Sequence, residues 1–364
     1  MSPGNDPADR SCMARALELA RRGLFGTDPN PRVGCVLVRD GEVVGEGWHA
    51  RAGEAHAEAA ALAAAGDAAR GADCFVTLEP CNHAGRTGPC TDALIEAGVR
   101  RVAAATRDPN LAVAGGGLAR LAEAGIRVES GLLADEAEAL NPGFFSRARR
   151  RRPWVRLKLA ASLDGRTALA SGESRWITGE AARADVQHWR ARASMLLTGS
   201  ATVLADDPRL NVRLETPRQP MRVILDSSFR TPPGSRLFAA GGPVVVIGAE
   251  GAPAPDALAE RARIERVPAA TGGGLDLPAV ARLLAELEGN ELHVECGATL
   301  AGAWLASGLV DEVVLYLAPA MLGHEGRSLA ALPGIGTMAD RLDLHWHEAR
   351  RVGNDLRLVL RTGA

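Results

Sequence analysis

Two cysteines, Cys81 and Cys90, stand nine positions apart in TLEPCNHAGRTGPC, Thr77 to Cys90, and each follows a proline. Upstream, GEAHAE places His56 two positions before Glu58. One imidazole and two thiolates make an incomplete zinc shell that keeps a coordination position for water. Two thiolates cancel the charge of the ion, which can still acidify that water. Glu58 has no need to be a ligand. Its useful place is beside the water, taking its proton and passing it to a departing nitrogen. The chemistry this set points to is hydrolytic loss of an amino group from an amidine-like carbon of a heterocycle. The same residues are compatible with a structural zinc or with core thiols, and they do not choose the heterocycle.

Helix geometry sets a condition. Residues i and i+2 do not share a helix face, so His56 and Glu58 can serve one pocket only if His56 lies at the first turn. HAEAAALAAAGDAARG reads as an alanine-rich helix with His56 near its start. Cys81 is expected to end the strand CFVTLE, and Cys90 to open the helix CTDALIEAG, where free backbone amides favour a thiolate. NHAGRTGP between them suits a polar loop walling a pocket. Cys12, Cys35, Cys74 and Cys296 lack such neighbours and read as buried small residues.

Around these residues, SCMARALELARRG is a helix and VGCVLVRDGEVVGEGWH a hairpin turning at Asp40-Gly41. GGGLARLAEAGIRVESG gives another helix and strand, its glycine run at Gly115 to Gly117 an ordinary loop. ADEAEALNPGFFSRA closes the unit as a single helix. Alternating strands and helices make residues 1–146 an α/β domain. The arginine-rich run at 147–153 reads as a solvated linker. Residues 154–364 form a second α/β domain, with strands at WVRLKLAASLDG, ASMLLTG, MRVILD, PVVVIG, ARIERVP, ELHVEC, DEVVLYLAP and LRLVLRTG. Its helices are GEAARADVQHWRARA, LPAVARLLAELEG and TLAGAWLASGL, and EGAPAPDALA is a surface loop. Two domains also suit the length of 364 residues.

Composition narrows the function classes. A hydrophobic content of 46% with 24% charged residues suits a globular protein with a real core. A formal charge of -2 and an aromatic content of 4% offer nothing to nucleic acid or to an anionic membrane. MSPGNDPADR has no signal-peptide pattern, and the apolar tracts are too short to span a bilayer. A cytoplasmic location and reduced cysteines are therefore expected. Apolar strand edges such as VVLYLAP leave a homo-oligomer open.

The motifs DPNPRVGCVLV, HAEAAAL, TLEPCNHAGRTGPC and TRDPN, followed in order by KLAASLDGRTA, SGESRWITG, GSATVLADDPRLNVR, VILDSS and VECGATLAGAWL, carry a resemblance. The chain resembles the bifunctional riboflavin biosynthesis proteins, a pyrimidine deaminase fused to a pyrimidine reductase, over roughly residues 12 to 362. The resemblance implies a cytidine-deaminase-like first domain and a dihydrofolate-reductase-like second one. It implies Zn2+ on His56, Cys81 and Cys90, Glu58 as proton shuttle, and Asn30, His49 and His83 lining the pocket. Asn82 and Gly88 depart from the family form, which has serine and proline there. In the second domain it implies NADPH against Ala160, Trp176, Thr202, Asp206, Ser227 and the segment Gly297, Ala298, Thr299, Leu300, Ala301, Gly302 and Ala303. A phosphoribosylaminopyrimidine substrate would meet Ser174, Arg190, Leu210, Arg213 and Glu295. No Gly-x-Gly-x-x-Gly follows the first strand of that domain, and no basic cluster marks a 2'-phosphate site, so the preference for NADPH over NADH comes from the resemblance alone. The strand-to-helix turn at Glu295 to Gly297 is the best phosphate site the residues themselves offer. Lys158 and Asp206 stand out as polar supports for reduction, while Arg190, Arg213 and Trp176 are equally readable as surface charge and core packing.

Overall fold

The structure is a computed structural model that describes residues 6–82, 88–110 and 115–363. The chain divides into two compact units, Met1–Arg151 and Arg152–Ala364. Among the described residues no helix is long and apolar enough to cross a membrane.

In the first unit, α1 (Pro7–Arg22) leads into the hairpin β1 (Gly34–Arg39) and β2 (Glu42–Trp48). Asp40 and Gly41 both have positive φ, 54° and 85°, as a tight two-residue hairpin turn requires. α2 (Ala57–Ala65), β3 (Asp73–Val76), α3 (Cys90–Ala97), β4 (Arg101–Ala104), α4 (Gly116–Glu123) and β5 (Arg127–Ser130) follow, then α5 (Ala134–Leu140) and α6 (Pro142–Arg150). The sheet order is β2-β1-β3-β4-β5, antiparallel across β2, β1 and β3 and parallel from β3 to β5. Side chains alternate across it. Cys35, Leu37, Cys74 and Val76 pack with α2, α3 and α4, whereas Val36 and Phe75 pack with α1 and α5.

Where α2 sits is decided by two glycines. A Cβ on Gly45 or on Gly47 would stand 2.4 Å from the carbonyl oxygen of Ala61 or Ala57, respectively. Without side chains there, the alanine face of α2 lies directly on β2, and this carries His56 to the sheet edge.

The final helix of this unit is broken in two. Pro142 disfavours helical backbone at Asn141, whose buried amide instead accepts from the Arg32 N–H at 2.8 Å and donates to the Arg32 carbonyl at 2.9 Å. Arg147 to Arg150, expected in a linker, are the last turn of α6, where cations face the negative end of the helix dipole.

The second unit opens with β6 (Trp154–Ser162), β7 (Arg166–Ala168), α7 (Glu180–Arg192), β8 (Met195–Gly199) and α8 (Ser200–Asp206). β9 (Met221–Leu225), β10 (Val244–Ala249), α9 (Asp256–Ala259), β11 (Arg263–Val267) and α10 (Leu277–Glu286) come next. β12 (Glu291–Val294), α11 (Ala298–Ala306), β13 (Glu312–Ala318), β14 (Arg327–Ser328), β15 (Leu344–Val352) and β16 (Asp355–Thr362) complete it. The main sheet runs β11-β10-β9-β8-β12-β6-β13-β16-β15, parallel from β11 to β13 with two antiparallel strands at the end. Because β12 inserts between β6 and β8, the strand order reverses there, and in open α/β sheets ligands bind outside the carboxyl ends of strands at such a switch point.

Several elements differ from expectation. VVLYLAP, read as an apolar edge, is interior: β13 lies between β6 and β16, and its apolar run reflects burial on both faces. The edge is β15, whose sequence LHWHEARRV is too polar to announce a strand; Trp346 stands exposed on it. The segment EGAPAPDALA holds the short helix α9 at its end. α8 and the small ribbon β7–β14 are further elements outside the sequence reading.

Candidate functional site

His56 is the residue immediately before α2, with extended backbone (φ -72°, ψ 164°). This meets the condition set by helix geometry: His56 stands outside the helix while Glu58 lies in its first turn. Cys90 begins α3, and its backbone N–H points at the Cys81 sulfur, 3.4 Å away. β3 ends at Val76, so Cys81 sits in the loop beyond the strand and not at its end.

The three donors converge. His56 Nδ1 is 3.3 Å from Cys90 Sγ and 3.5 Å from Cys81 Sγ. All three ligand atoms lie within 4.8 Å of one another. Tetrahedral zinc bonds of about 2.3 Å to sulfur and 2.0 Å to nitrogen put such donors about 3.5 Å apart, so this set fits the ion. The electrostatics agree. Hydrogen bonds from Cys90 and His56 pull the Cys81 thiol down to about 4, while that sulfur, together with burial, pushes the Cys90 thiol up. Both sulfurs can be thiolates only with a cation among them.

Glu58 is 4% exposed, and burial pushes its carboxyl up to about 7. A carboxyl poised there can both accept and release a proton near neutrality. His49 is buried and kept toward its neutral form by that burial. Its Nδ1 donates to the Ala55 carbonyl at 3.0 Å, leaving Nε2 to accept from Asn30 at 3.1 Å. Its ring meets the His56 ring edge-on at 5.4 Å. The His49 ring, held by Asn30 and the Ala55 carbonyl, therefore packs beside the imidazole ligand. His83 lies outside the described residues. Cys35 and Cys74 are fully buried with sulfurs 3.5 Å apart, whereas Cys12 and Cys296 are partly exposed.

In the second unit, the expected residues differ in burial and in the contacts they make. Glu295, just past β12, is held by a two-point ion pair from Arg190, at 2.5 and 2.9 Å. Lys158 Nζ stands 3.9 Å from the same carboxylate. Burial raises the Glu295 carboxyl, but Arg190, Lys158 and His293 outweigh it and hold the group well below the usual range. The Arg190 fork, expected on a phosphate, is thus closed on Glu295, with its third nitrogen on the Asn211 carbonyl at 3.0 Å. Arg213 is exposed, its backbone N–H on Gln187 and its guanidinium toward solvent.

Ala160 lies two residues beyond Lys158 on β6 and is partly buried. Thr202 and Asp206 are on α8, Asp206 exposed at its end. Ser227 follows β9, its carbonyl accepting from the Ala249 N–H. Leu210 is buried against Ala193 and Leu196, so it offers backbone and not side chain. Ser174 is exposed, and Trp176 is 70% exposed under the Arg183 guanidinium, which excludes core packing for that indole. Gly297 precedes α11; Gly297 to Leu300 form its open end together with exposed Ala303. Ala301 is core, and a Cβ on Gly302 would stand 1.7 Å from the Ala331 carbonyl oxygen, so these two face inward.

One residue escaped the sequence reading. His293 is fully buried with Nε2 3.4 Å from Glu295. The signal was present, since residues two apart on a strand share a face and LHVEC places His293 two before Glu295.

Comparison with known proteins adds independent support. Residues 7–106 match the cytidine and deoxycytidylate deaminase zinc-binding region, and residues 153–358 match the RibD C-terminal domain. The riboflavin biosynthesis protein RibD of Escherichia coli K12 is 50% identical, covering 97% of this chain and 99% of that protein. The chain belongs to the RibD family. It is a bifunctional riboflavin biosynthesis protein with a zinc-binding deaminase domain and a dihydrofolate-reductase-like reductase domain. RibD of Haemophilus influenzae is 48% identical, covering 95% of each chain. Among solved structures, Acinetobacter baumannii RibD superposes with a TM-score of 0.91 at 43% identity, covering 98% of this chain and 99% of that one. A Thermotoga maritima protein described as a diaminohydroxyphosphoribosylaminopyrimidine deaminase/5-amino-6-(5-phosphoribosylamino)uracil reductase superposes with a TM-score of 0.86 at 32% identity, with the same coverages.

Proposed function

We propose that residues 1–146 deaminate 2,5-diamino-6-(5-phospho-ribosylamino)pyrimidin-4-one to 5-amino-6-(5-phosphoribosylamino)uracil, and that residues 154–364 then reduce its ribosyl group to ribityl with NADPH. The observation that carries the first step is the convergence of His56, Cys81 and Cys90 with Glu58 buried beside them. Zinc held by these three residues would supply Lewis acidity toward a bound water, making it a nucleophile for the amino-bearing carbon. The Glu58 carboxylate takes a proton from the attacking water and later delivers it to the departing nitrogen. A C–O bond forms, the C–N bond breaks and ammonia leaves. His49, held by Asn30 and the Ala55 carbonyl, packs its ring edge-on against His56 and limits the rotation of that imidazole.

In the second unit NADPH supplies a hydride to C1 of the opened, imine-like ribosyl group. Its contacts are Ala160, Trp176, Thr202, Asp206, Ser227 and the open end of α11. Arg213, exposed to solvent, is the residue assigned to the substrate phosphate. Glu295, fixed by Arg190, would accept from sugar hydroxyls, with Ser174 and the Leu210 backbone as further substrate contacts. Lys158, whose ammonium is pushed toward its neutral form by burial, stands 3.9 Å from the Glu295 carboxylate. A reducing, cytoplasmic setting accords with the zinc reading, since Cys81 and Cys90 must stay thiolates to hold the ion.

The test is a coupled assay on the purified chain. The aminopyrimidine substrate should release ammonia and only afterwards consume NADPH, whereas the deaminated intermediate should consume NADPH at once. NADPH consumption before any ammonia release would reverse the assigned order.

A further inference from the structure

Glu79 belongs to the TLEPC stretch, yet neither proposed reaction uses it. Its buried carboxylate accepts four backbone N–H bonds. Oε1 takes those of Gly117 at 3.0 Å and Leu118 at 3.2 Å, and Oε2 those of Gly115 at 2.9 Å and Asp108 at 3.2 Å. Three of these amides belong to the start of α4, where helix geometry leaves N–H groups unpaired. The glycine run at Gly115 to Gly117 therefore serves an internal carboxylate. Close approach is obligatory here, because a Cβ on Gly117 would stand 2.1 Å from the Pro80 carbonyl oxygen.

A second tie lies three residues on. Asn82 Nδ2 donates to the Gly116 carbonyl at 3.4 Å, and Asn82 Oδ1 accepts from the Thr91 hydroxyl at 3.0 Å. Asn82 is one of the two positions where this chain departs from the family form, and its longer side chain is what spans the gap. Between the ties, the Cys81 carbonyl accepts from the Thr91 N–H at 3.2 Å. Residues 79–82 are thus a strap fastened at both ends to the start of α4, with Cys81 within it.

We propose that Glu79 is a positioning residue for the metal centre, fixing Cys81 within reach of His56 and Cys90, with Asn82 as an auxiliary tie. The inference rests on the zinc reading of those three residues. It predicts that loosening the strap lowers the grip on zinc without touching a ligand.

The experiment follows zinc release from the full-length zinc-loaded chain into excess colorimetric chelator at 20 °C. Glu79→Gln keeps the volume but removes the charge and one acceptor; release should accelerate by about 10-fold or more, the scale at which residues supporting a ligand affect metal binding. Asn82→Ser, at an exposed side chain, should accelerate it by a smaller factor. NADPH consumption on the deaminated intermediate should be unchanged in both. A Glu79→Gln chain with a lower melting temperature but unaltered zinc release at 20 °C would show a purely structural residue and overturn the proposal. Should Glu79→Gln not fold, Asn82→Ser decides: release at the parental rate sinks the strap. A parental chain that takes up no zinc would instead refute the zinc reading itself, and the strap's role would fall with it.

Discussion

The two sites handle charge in opposite ways. In the first unit, two sulfurs and an imidazole are packed together with a buried carboxyl beside them. In the second, the Glu295 carboxylate is already matched by Arg190 and Lys158. A buried charge must be paired or coordinate a metal. The first cluster takes the metal solution and is complete only when loaded. The second takes the pairing solution, so its charge is balanced before any ligand arrives. The difference teaches that one site depends on an outside ion for its geometry, while the other depends on its own fold.

Removing a ligand should separate the two most sharply. Cys81→Ala or Cys90→Ala is expected to abolish zinc uptake, measured by elemental analysis. Ammonia release should fall toward the uncatalysed rate, about 10⁶-fold or more. NADPH consumption on the deaminated intermediate should persist; its loss would show that the second site needs the metal too. Next in size is Glu58→Gln, expected to cut deamination by about 10²- to 10⁴-fold with zinc content unchanged. Full activity with zinc in place would remove Glu58 from the proton path.

On the other side of the comparison, Glu295→Gln leaves Arg190 and Lys158 unmatched in a buried setting. It should destabilise the second unit by about 3 kcal/mol, read as a shift in its urea midpoint. The same carboxylate gives that unit an acid limit. Because its folded pKa is depressed, it contributes stability that is complete above the unfolded value of about 4.3. That contribution is lost as pH falls below this value and through the folded one. A urea midpoint with no steeper acid dependence in the parent than in Glu295→Gln would contradict the pairing. Smallest is Arg213→Ala, expected to raise KM for the phosphorylated intermediate by about 10-fold with kcat nearly unchanged, the loss of one exposed charge-assisted contact. An equal fall in kcat would move Arg213 from binding into the chemical step.

Much of the first site was legible because its signals are local. His56-x-Glu58 before an alanine-rich run, and Cys90 before CTDALIEAG, each combine a reactive residue with a helix start in a few positions. Asn30 and His49 entered only through the resemblance, as residues lining the pocket, and the hydrogen bonds that hold His49 join separate loops. The second site was read less evenly. Its strands VRLKLAAS and ELHV were visible from apolar alternation, but which charges pair across them was not: Arg156 bridges to Glu291 and Glu312, and Arg190 to Glu295, through partners 105 or more positions away. Arg190 could be read as a phosphate clamp only while its partner was unseen. β15 was missed because an edge strand exposed on both faces has no reason to be apolar.

By itself, the sequence determined the two α/β layers, the donor types and the helix start that separates His56 from Glu58. These follow from side-chain periodicity and backbone chemistry acting over a few residues. Only the tertiary structure decided that three donors 34 positions apart at most meet within 4.8 Å, that Glu79 ties the cysteine strap to α4, and that Glu295 is already matched. Those outcomes depend on which distant surfaces pack, and a separation along the chain carries no information about a distance through the core.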